Sequence, residues 1–299
     1  MSAQAQPAAS RPGIQSAPQS GIVWVASYPK SGNTWTRTFL HNLTKIQSGE
    51  KGEQDINELN RFSTWDLNKK HYAEVLGYTP RNDQRAEIAA ARHQVHQLIA
   101  DSVRGMVFIK THNALVIDRG HSTVNFAVTA GAIYVVRNPL DVAISYAHHM
   151  GRAIDHAIME MAAENIETPG NDKAVYEVYG SWSQHVWSWT RTPHRALYLM
   201  RYEDMLEDPE RTFGGLARHL LMDPTPEQLR EAIERSSFER LQAQEKQKGF
   251  REHSPKADAQ FFREGRAGQW KELLTQAQVE RIAEVHGEQM RRFGYLPLE

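Results

Sequence analysis

The chain has 299 residues, a formal net charge of −1, 14 histidines and no cysteine. That length sustains a core without covalent staples, and the missing cysteine excludes a disulfide framework or a cysteine-ligated metal, in keeping with a reducing, cytoplasmic setting. A near-neutral chain has no global field to draw nucleic acid or an anionic membrane, and no stretch approaches the roughly 20 apolar residues of a membrane span.

Residues 1–20 are rich in Ala, Gln, Ser and Pro. They lack the apolar centre of a secretion signal and are expected to form a disordered tail. A single domain is expected over 21–299. The apolar run Ile22-Val23-Trp24-Val25-Ala26 reads as a buried strand, Ile22–Ser27. Tyr28-Pro29-Lys30-Ser31-Gly32-Asn33-Thr34 follows it, and Trp35, Phe39, Leu40 and Leu43 then share one helical face. Strand, loop and helix in this order suit an anion. N–H groups at the helix start point outward, the helix dipole favours negative charge there, and Lys30 adds a mobile full charge. The loop is not a Walker A loop, in which the lysine follows the second glycine. Here Lys30 precedes Gly32.

Residues 45–105 are polar and mixed, with Trp65, Tyr72 and Tyr78 scattered through them. They read as loop-like, either a lid or plain solvated insertions. Three further strand patterns follow, at Met106–Lys110, Ala132–Arg137 and Ala196–Arg201. All are short, apolar and rich in branched or aromatic residues, as strands covered on both faces should be. With helical patterns between them they predict an α/β layer fold with a central, mainly parallel sheet flanked by helices. Ligands in such folds sit at the carboxyl ends of the strands, where Lys30, Lys110, His112, Arg137 and Tyr202 fall.

In Lys110-Thr111-His112 a histidine ends a strand beside a lysine. Its imidazole is available as a neutral base at pH 7, and a neighbouring cation helps to keep it so; by itself it is equally an ordinary loop histidine. Arg137 ends the next strand, and Asn138-Pro139 marks a helix start. Arg137 can grip a phosphate with two parallel bonds and Ser145, two turns on, can add a third. The plain alternative pairs Arg137 with Asp141. His148 and His149 lie just beyond and could line an acceptor pocket. Tyr146, Tyr176, Tyr179, Trp182, Trp187 and Trp189 suit either a flat, apolar acceptor or core packing. His93 and His96 stand at helical spacing with no carboxylate triad, so no metal is expected.

Asp208-Pro209 and Thr225-Pro226 repeat the helix-start device. Thr275 should cap a final helix with an apolar stripe of Val279, Ile282, Met290 and Phe293. Residues 242–268 carry many charges with Gly249, Pro255, Gly265 and Gly268, and read as a loop. Within Phe261–Lys271, Arg263 and Arg266 with Gly265 and Gly268 let backbone and guanidinium approach one anion together.

As a set these segments resemble the cytosolic-type sulfotransferases, whose donor is 3′-phosphoadenosine 5′-phosphosulfate (PAPS) and whose nucleotide product is PAP. Tyr28–Trp35 is similar to their 5′-phosphosulfate loop, with Asn33 where threonine is usual. Arg137 through Ser145 is similar to their 3′-phosphate motif. Lys110-Thr111-His112 resembles the segment with their catalytic histidine, Tyr202-Glu203-Asp204 their Tyr-Glu-Asp, and Ser236-Ser237-Phe238 their Thr-Ser-Phe. Arg263–Lys271 resembles their Arg-Lys-Gly-x-x-Gly-x-Trp-Lys, with Glu264 in place of the lysine.

The resemblance runs in order from residue 21 to about 280 and implies a P-loop-like three-layer fold. It implies that His112 is the base, with Lys30 and Lys110 completing the catalytic set. The 5′-phosphate would lie on the backbone of Ser31, Gly32, Asn33, Thr34 and Trp35, with Lys30 on the bridging and sulfonate oxygens. The 3′-phosphate would lie on Arg137, Ser145, Arg263 and Gly265, with Glu264 removing one cation nearby. Trp35 and Phe238 would sandwich adenine, and Tyr202 and Ser236 would bond to it. The acceptor would be a small hydroxylated molecule. Lys271–Glu280 resembles the family's dimer motif, with Gln276 replacing its valine, so a small homodimer contact is implied. Two alternatives stand beside this reading. One is a P-loop-type kinase of a small hydroxylated molecule, which should show a true Gly-Lys-Ser/Thr loop and a magnesium-binding aspartate. The other is a catalytically silent nucleotide-binding protein.

Overall fold

The apolar runs become five parallel strands of one sheet. β1 is Ser20–Ser27, β2 Ser63–Trp65, β3 Gly105–Thr111, β6 Thr129–Val136 and β7 Leu197–Arg201, while β4 (Ile117–Asp118) and β5 (His121–Ser122) form a small hairpin. The computed structural model describes residues 20–253, 257 and 260–297. The expected tail, apart from Ser20, lies outside these residues, as does Pro255; Ser20 itself begins β1. All four expected strands are present, each within a few residues of its expected ends. β2, only three residues long, carries too short a pattern to be read from sequence.

The sheet order is β2-β3-β1-β6-β7. β1 pairs with β3 on one side and β6 on the other. The chain therefore crosses from one flank of β1 to the other, and the carboxyl end of β1 is the switch point where α/β sheets open a crevice. Side chains of β1 alternate between two layers. Ile22, Trp24 and Ala26 pack among the helices Arg85–Asp101, Pro139–Met150, Trp182–Thr190 and Gln276–Phe293. Val23 and Val25 meet Phe39, Leu40 and Leu43 of the helix Asn33–Gln47, and Phe213 and Leu216 of the helix Pro209–His219. Burial on both faces explains why β1 is apolar throughout.

The helix starts follow their sequence signals. Asn138 and Asp208 each accept a backbone N–H of the helix they precede, and Thr225 and Thr275 form capping boxes with Gln228 and Gln278. Residues 45–105 differ from expectation. They contain β2, two short helical turns, Ile56–Glu58 and Leu59–Phe62, and two longer helices, Lys69–Leu76 and Arg85–Asp101. The second helix is hard to read because its inner face mixes Ile88, Val95 and Ile99 with Arg92 and His96, all of them buried. Arg92 Nη1 donates to Asp118 at 3.0 Å and His96 Nε2 to Asp66 at 3.2 Å, and Tyr176 also donates to Asp118. A buried ion pair and a histidine–carboxylate hydrogen bond interrupt the stripe.

Trp182, Trp189 and Tyr176 are core residues, whereas Trp187 is exposed. The charged stretch from 242 begins inside a helix, Phe238–Lys248. Beyond it Phe250, Phe261 and Phe262 form a small separate core with Ile56, Leu59 and Leu241, against which Trp35 and Phe238 pack. Among the described residues no helix is long and apolar enough to cross a membrane.

Arg92→Met leaves the buried Asp118 without one of its cations. Breaking such a pair costs about 3 kcal/mol, so the urea midpoint should fall by an amount equivalent to that loss. A midpoint equal to the parent's would show that Arg92 carries no part of the core's stability.

Candidate active site

The loop after β1 is shaped by its backbone. Lys30 and Gly32 both take positive φ, 65° and 108°. A Cβ at Gly32 would come within 2.9 Å of the Tyr202 ring, so only glycine fits there. Gly32 also stands at the N-cap, and no side chain caps the helix. The first helical N–H groups thus lack intrahelical partners. Asn33 cannot supply a cap, because its Nδ2 turns inward and donates to the Val25 carbonyl at 2.8 Å, which ties the helix start to β1. Ser31 is wholly buried and its Oγ has no partner.

Lys30, Gly32, Asn33, Thr34 and Trp35 line a cleft of about 310 Å³ at the carboxyl edge of the sheet. Lys110, His112, Arg137, Ser145, Tyr202, Phe238, Arg263, Glu264 and Gly265 line the same cleft. Three strand ends thus meet in one place, as expected. The Lys30 ammonium lies 3.7 Å from the centre of the Phe261 ring. Desolvation, with the nearby charges of Arg137 and Lys110, lowers its pKa to about 7.

His112 is held at its ring and its backbone. Its Nδ1 lies 2.8 Å from the Ser27 carbonyl, which can only accept, so Nδ1 carries the proton and Nε2 is the basic nitrogen. Its backbone N–H donates to Glu177 at 3.0 Å, and its carbonyl accepts from His185 Nε2 at 3.1 Å. Burial, with Lys110 beside it, pushes its pKa well below the ordinary value, so the ring is neutral at pH 7. A neutral ring held at Nδ1 keeps Nε2 oriented and available to accept a proton.

Arg137 does not pair with Asp141. That carboxylate accepts the backbone N–H groups of Gly268 and Trp270, at 2.7 and 3.1 Å. Arg137 donates instead to the carbonyls of Lys30 and Arg266, stacks 4.1 Å from the centre of the Tyr202 ring, and leaves Nε without a partner. Arg263 reaches Gln269 at 2.7 Å. Glu264 lies 3.4 Å from Arg263 and 3.3 Å from Arg266, so it draws on the two arginines of its own loop. Gly265 presses on Phe238, whose ring atoms would stand 2.3 Å from any Cβ there.

Ser31 and Ser236 are the exceptions among the expected residues, both fully buried and neither lining the cleft. Ser236 donates to the Ala232 carbonyl at 2.7 Å and accepts from Asn42 at 3.0 Å. A helix-end serine that bonds back to its own helix has no free hydroxyl for a base. His93 and His96 point to Ser122 and Asp66, not to a common centre.

Sequence reasoning missed two acids in the cleft. Glu177 anchors His112, and nothing in its neighbourhood signals that role. Glu252 lines the cleft between cations, bidentate to Arg37 at 2.9 and 2.7 Å and 4.0 Å from Lys110. Burial opposes its ionisation, but Arg37, Lys110 and Lys30 hold its pKa down to about 2. Arg37, a cation on the inner face of the first helix, was the available signal. Tyr146, His149, Tyr179 and Phe261 line the cleft on the His112 side. A cleft with several cations, free helix N–H groups and a neutral imidazole can hold a polyanion and remove a proton beside it.

The family model described as "Sulfotransferase domain" matches residues 21–294. Among curated proteins, Sulfotransferase 1B1 of Canis lupus familiaris is 33% identical over 171 residues, covering 53% of this chain and 54% of that one. Sulfotransferase 1A1 of Bos taurus is 31% identical over 169 residues, covering 52% of each. The chain spans about half the length of the curated relatives it matches. Two solved structures share the fold at 18% identity. One is mouse sulfotransferase SULT7A1 complexed with PAP, with TM-score 0.58 and coverage of 92% of this chain and 85% of that one. The other is retinol dehydratase with androsterone and PAP, with TM-score 0.61 and coverage of 90% and 80%. They show the P-loop-like α/β fold.

The buried histidines set an acid limit to stability. Burial lowers the pKa of His286 to about 4, and its Nδ1 bonds to Ser183. Between that value and the unfolded value near 6.5, the unfolded chain binds a proton that the fold refuses, so stability falls with pH. One such group contributes about 1.4 kcal/mol per pH unit in that window. His286→Gln should flatten the slope of unfolding free energy against pH by that amount between pH 6.5 and about 5. Parallel slopes for variant and parent would contradict the assignment.

Proposed function

The chain belongs to the sulfotransferase family, and on that premise we propose that it transfers a sulfuryl group from PAPS to a small-molecule acceptor. The accepting atom is a hydroxyl, or an amine in its place, and natural products fall within the range. Residues 21–299 act as one sulfotransferase domain. The observation that carries this reading is the meeting of Lys30, His112 and Arg137 in one cleft, with His112 Nε2 left as the base. The fit to a doubly phosphorylated nucleotide is supported by the buried, unpartnered Nε of Arg137, which lines the cleft, and by the uncapped helix start.

PAPS supplies the sulfuryl group and a stable leaving nucleotide, PAP. The backbone N–H groups from Ser31 to Trp35 bind the 5′-phosphate, and Arg137, Ser145, Arg263 and Gly265 bind the 3′-phosphate. Trp35, Phe238 and Tyr202 enclose the base. Glu264 pairs with Arg263 and Arg266, which weakens the hold on the 3′-phosphate relative to a lysine there. Sulfuryl transfer resembles phosphoryl transfer, so the protein's task is alignment and charge stabilisation. His112 Nε2 takes the acceptor proton as the new bond to sulfur forms and the bond to the nucleotide breaks. The Ser27 carbonyl, on Nδ1–H, stabilises the resulting imidazolium. Lys30 meets the charge that develops on the leaving oxygen, and Lys110 meets the sulfonate.

The acceptor enters beside Tyr146, His149, Tyr179 and Phe261. Burial, with Lys30 and Lys110, lowers the pKa of His149 to about 3, so it adds a neutral polar wall. Any homodimer forms through Lys271–Glu280 as a small contact, since Gln276 there bonds to Glu280 of its own helix at 2.9 Å.

The reading is tested with PAP, with ATP plus Mg²⁺, and with radiolabelled PAPS against panels of acceptors. PAP should raise the melting temperature where ATP plus Mg²⁺ does not. His112→Ala should abolish turnover yet keep the PAP-induced shift; a fully active variant removes His112 from the base role. Arg137→Ala should raise KM for PAPS at least tenfold, with little change in KM for the acceptor, because one charge-assisted phosphate grip contributes about 1.5–3 kcal/mol. Equal changes in both constants would contradict the 3′-phosphate assignment.

A further inference from the structure

Glu252 is an acid in a cleft built for anions. Its carboxylate is clamped by Arg37, which is wholly buried and also donates to Ser63 and Thr34, at 3.2 and 3.4 Å. Its side chain is 19% exposed, so it faces the cleft without being solvated like a surface acid. Lys110 Nζ stands 4.0 Å away, and its only ion-pair partner among the described residues is this carboxylate. Arg37 and Glu252 are 215 residues apart in sequence, so the contact joins the first helix to the chain after Gly249.

The charges around Lys30 come from every side. Arg137 at the end of β6 and Lys110 at the end of β3 repel its ammonium, while Glu245 and Glu252 attract it. Glu245 is already committed, since its two oxygens accept the backbone N–H groups of Phe261 and Phe262, at 2.7 and 2.9 Å. His112 and His149 are neutral, and the Phe261 ring offers only its face. Glu177 also acts on Lys110 but is engaged by the backbone N–H of His112, which leaves Glu252, 4.0 Å from Lys110, as the carboxylate that attracts both lysines.

We propose that Glu252 is a positioning residue: held by Arg37, its carboxylate fixes Lys110 at the cleft and opposes the repulsion between the two lysines before an anionic donor arrives. When the donor's own charge takes over the balance, Lys110 is free to turn from Glu252 to the sulfonate. The proposal rests on the reading of the cleft as a PAPS site.

The test uses the full chain carrying Glu252→Gln. Glutamine keeps an oxygen for Arg37 and deletes the charge. Glu252→Asp, whose shorter arm draws the charge back, should act in the same direction and serves if the glutamine variant does not fold. The first readout is the side-chain titration of Lys30 by carbon NMR without ligand, assigned with Lys30→Arg. The Lys30 midpoint should fall by about one pH unit in Glu252→Gln relative to the parent. The second readout is kcat/KM for PAPS at pH 8, which should fall about tenfold, the same shift expressed as a rate. A merely structural role would lower the melting temperature and leave the midpoint in place. An unmoved midpoint in a folded variant overturns the proposal. A shifted midpoint in a protein that does not bind PAP overturns the nucleotide reading and leaves the charge role standing.

Discussion

Crowding like charges into a half-buried cleft is the constraint on which the rest of this molecule depends. Lys30 and Arg37 from the loop and helix after β1, Lys110 from β3 and Arg137 from the end of β6 arrive from three separate segments, and the protein supplies too few carboxylates to match them. Each cation is therefore held by something other than solvent. Arg137 rests on carbonyls and the Tyr202 ring, Arg37 on Glu252, and Lys30 on the face of Phe261. A site in that condition is completed by an anion, because the anion removes repulsion that the fold otherwise has to bear.

The sheet makes the crowding affordable. Strand order β2-β3-β1-β6-β7 puts three strand ends side by side at the switch point, and each is anchored from behind. Asn33 ties the first helix to β1, Glu177 and His185 grip the backbone of His112, and Glu203 holds the N–H of Asn138 at 3.0 Å. Glu203 also accepts from Tyr295, at 2.7 Å, so the end of the chain's last helix is linked to the same edge. These bonds fix the functional groups to strands and helix starts, which are stiffer than loops.

Local signals were legible and distant ones were not. β1, β3, β6 and β7 were plain in the sequence because burial on both faces leaves short apolar runs. Helix starts at Asn138, Asp208, Thr225 and Thr275 were plain because capping is decided within four residues. The helix Arg85–Asp101 was hidden because Arg92 and His96 occupy its inner face and find Asp118 and Asp66 through tertiary contact. The pairing of Arg37 with Glu252 left one local trace, a cation on the inner face of the first helix, and nothing near Glu252 named its partner. Most motif residues line the cleft, but Ser31 and Ser236 are buried outside its lining, and the Ser236 hydroxyl is consumed by Ala232 and Asn42. Asn33 could be placed in the loop, but only the fold shows that its side chain works inward, on β1.

A crystal structure of the full chain with PAP tests the central claim most directly. The account predicts the 5′-phosphate on the main-chain N–H groups of the loop after β1 and the 3′-phosphate within hydrogen-bond reach of Arg137. The space between Lys30 and His112 Nε2 should be left for the transferred group. PAP bound on another face, or with its phosphates away from both Lys30 and Arg137, would contradict it.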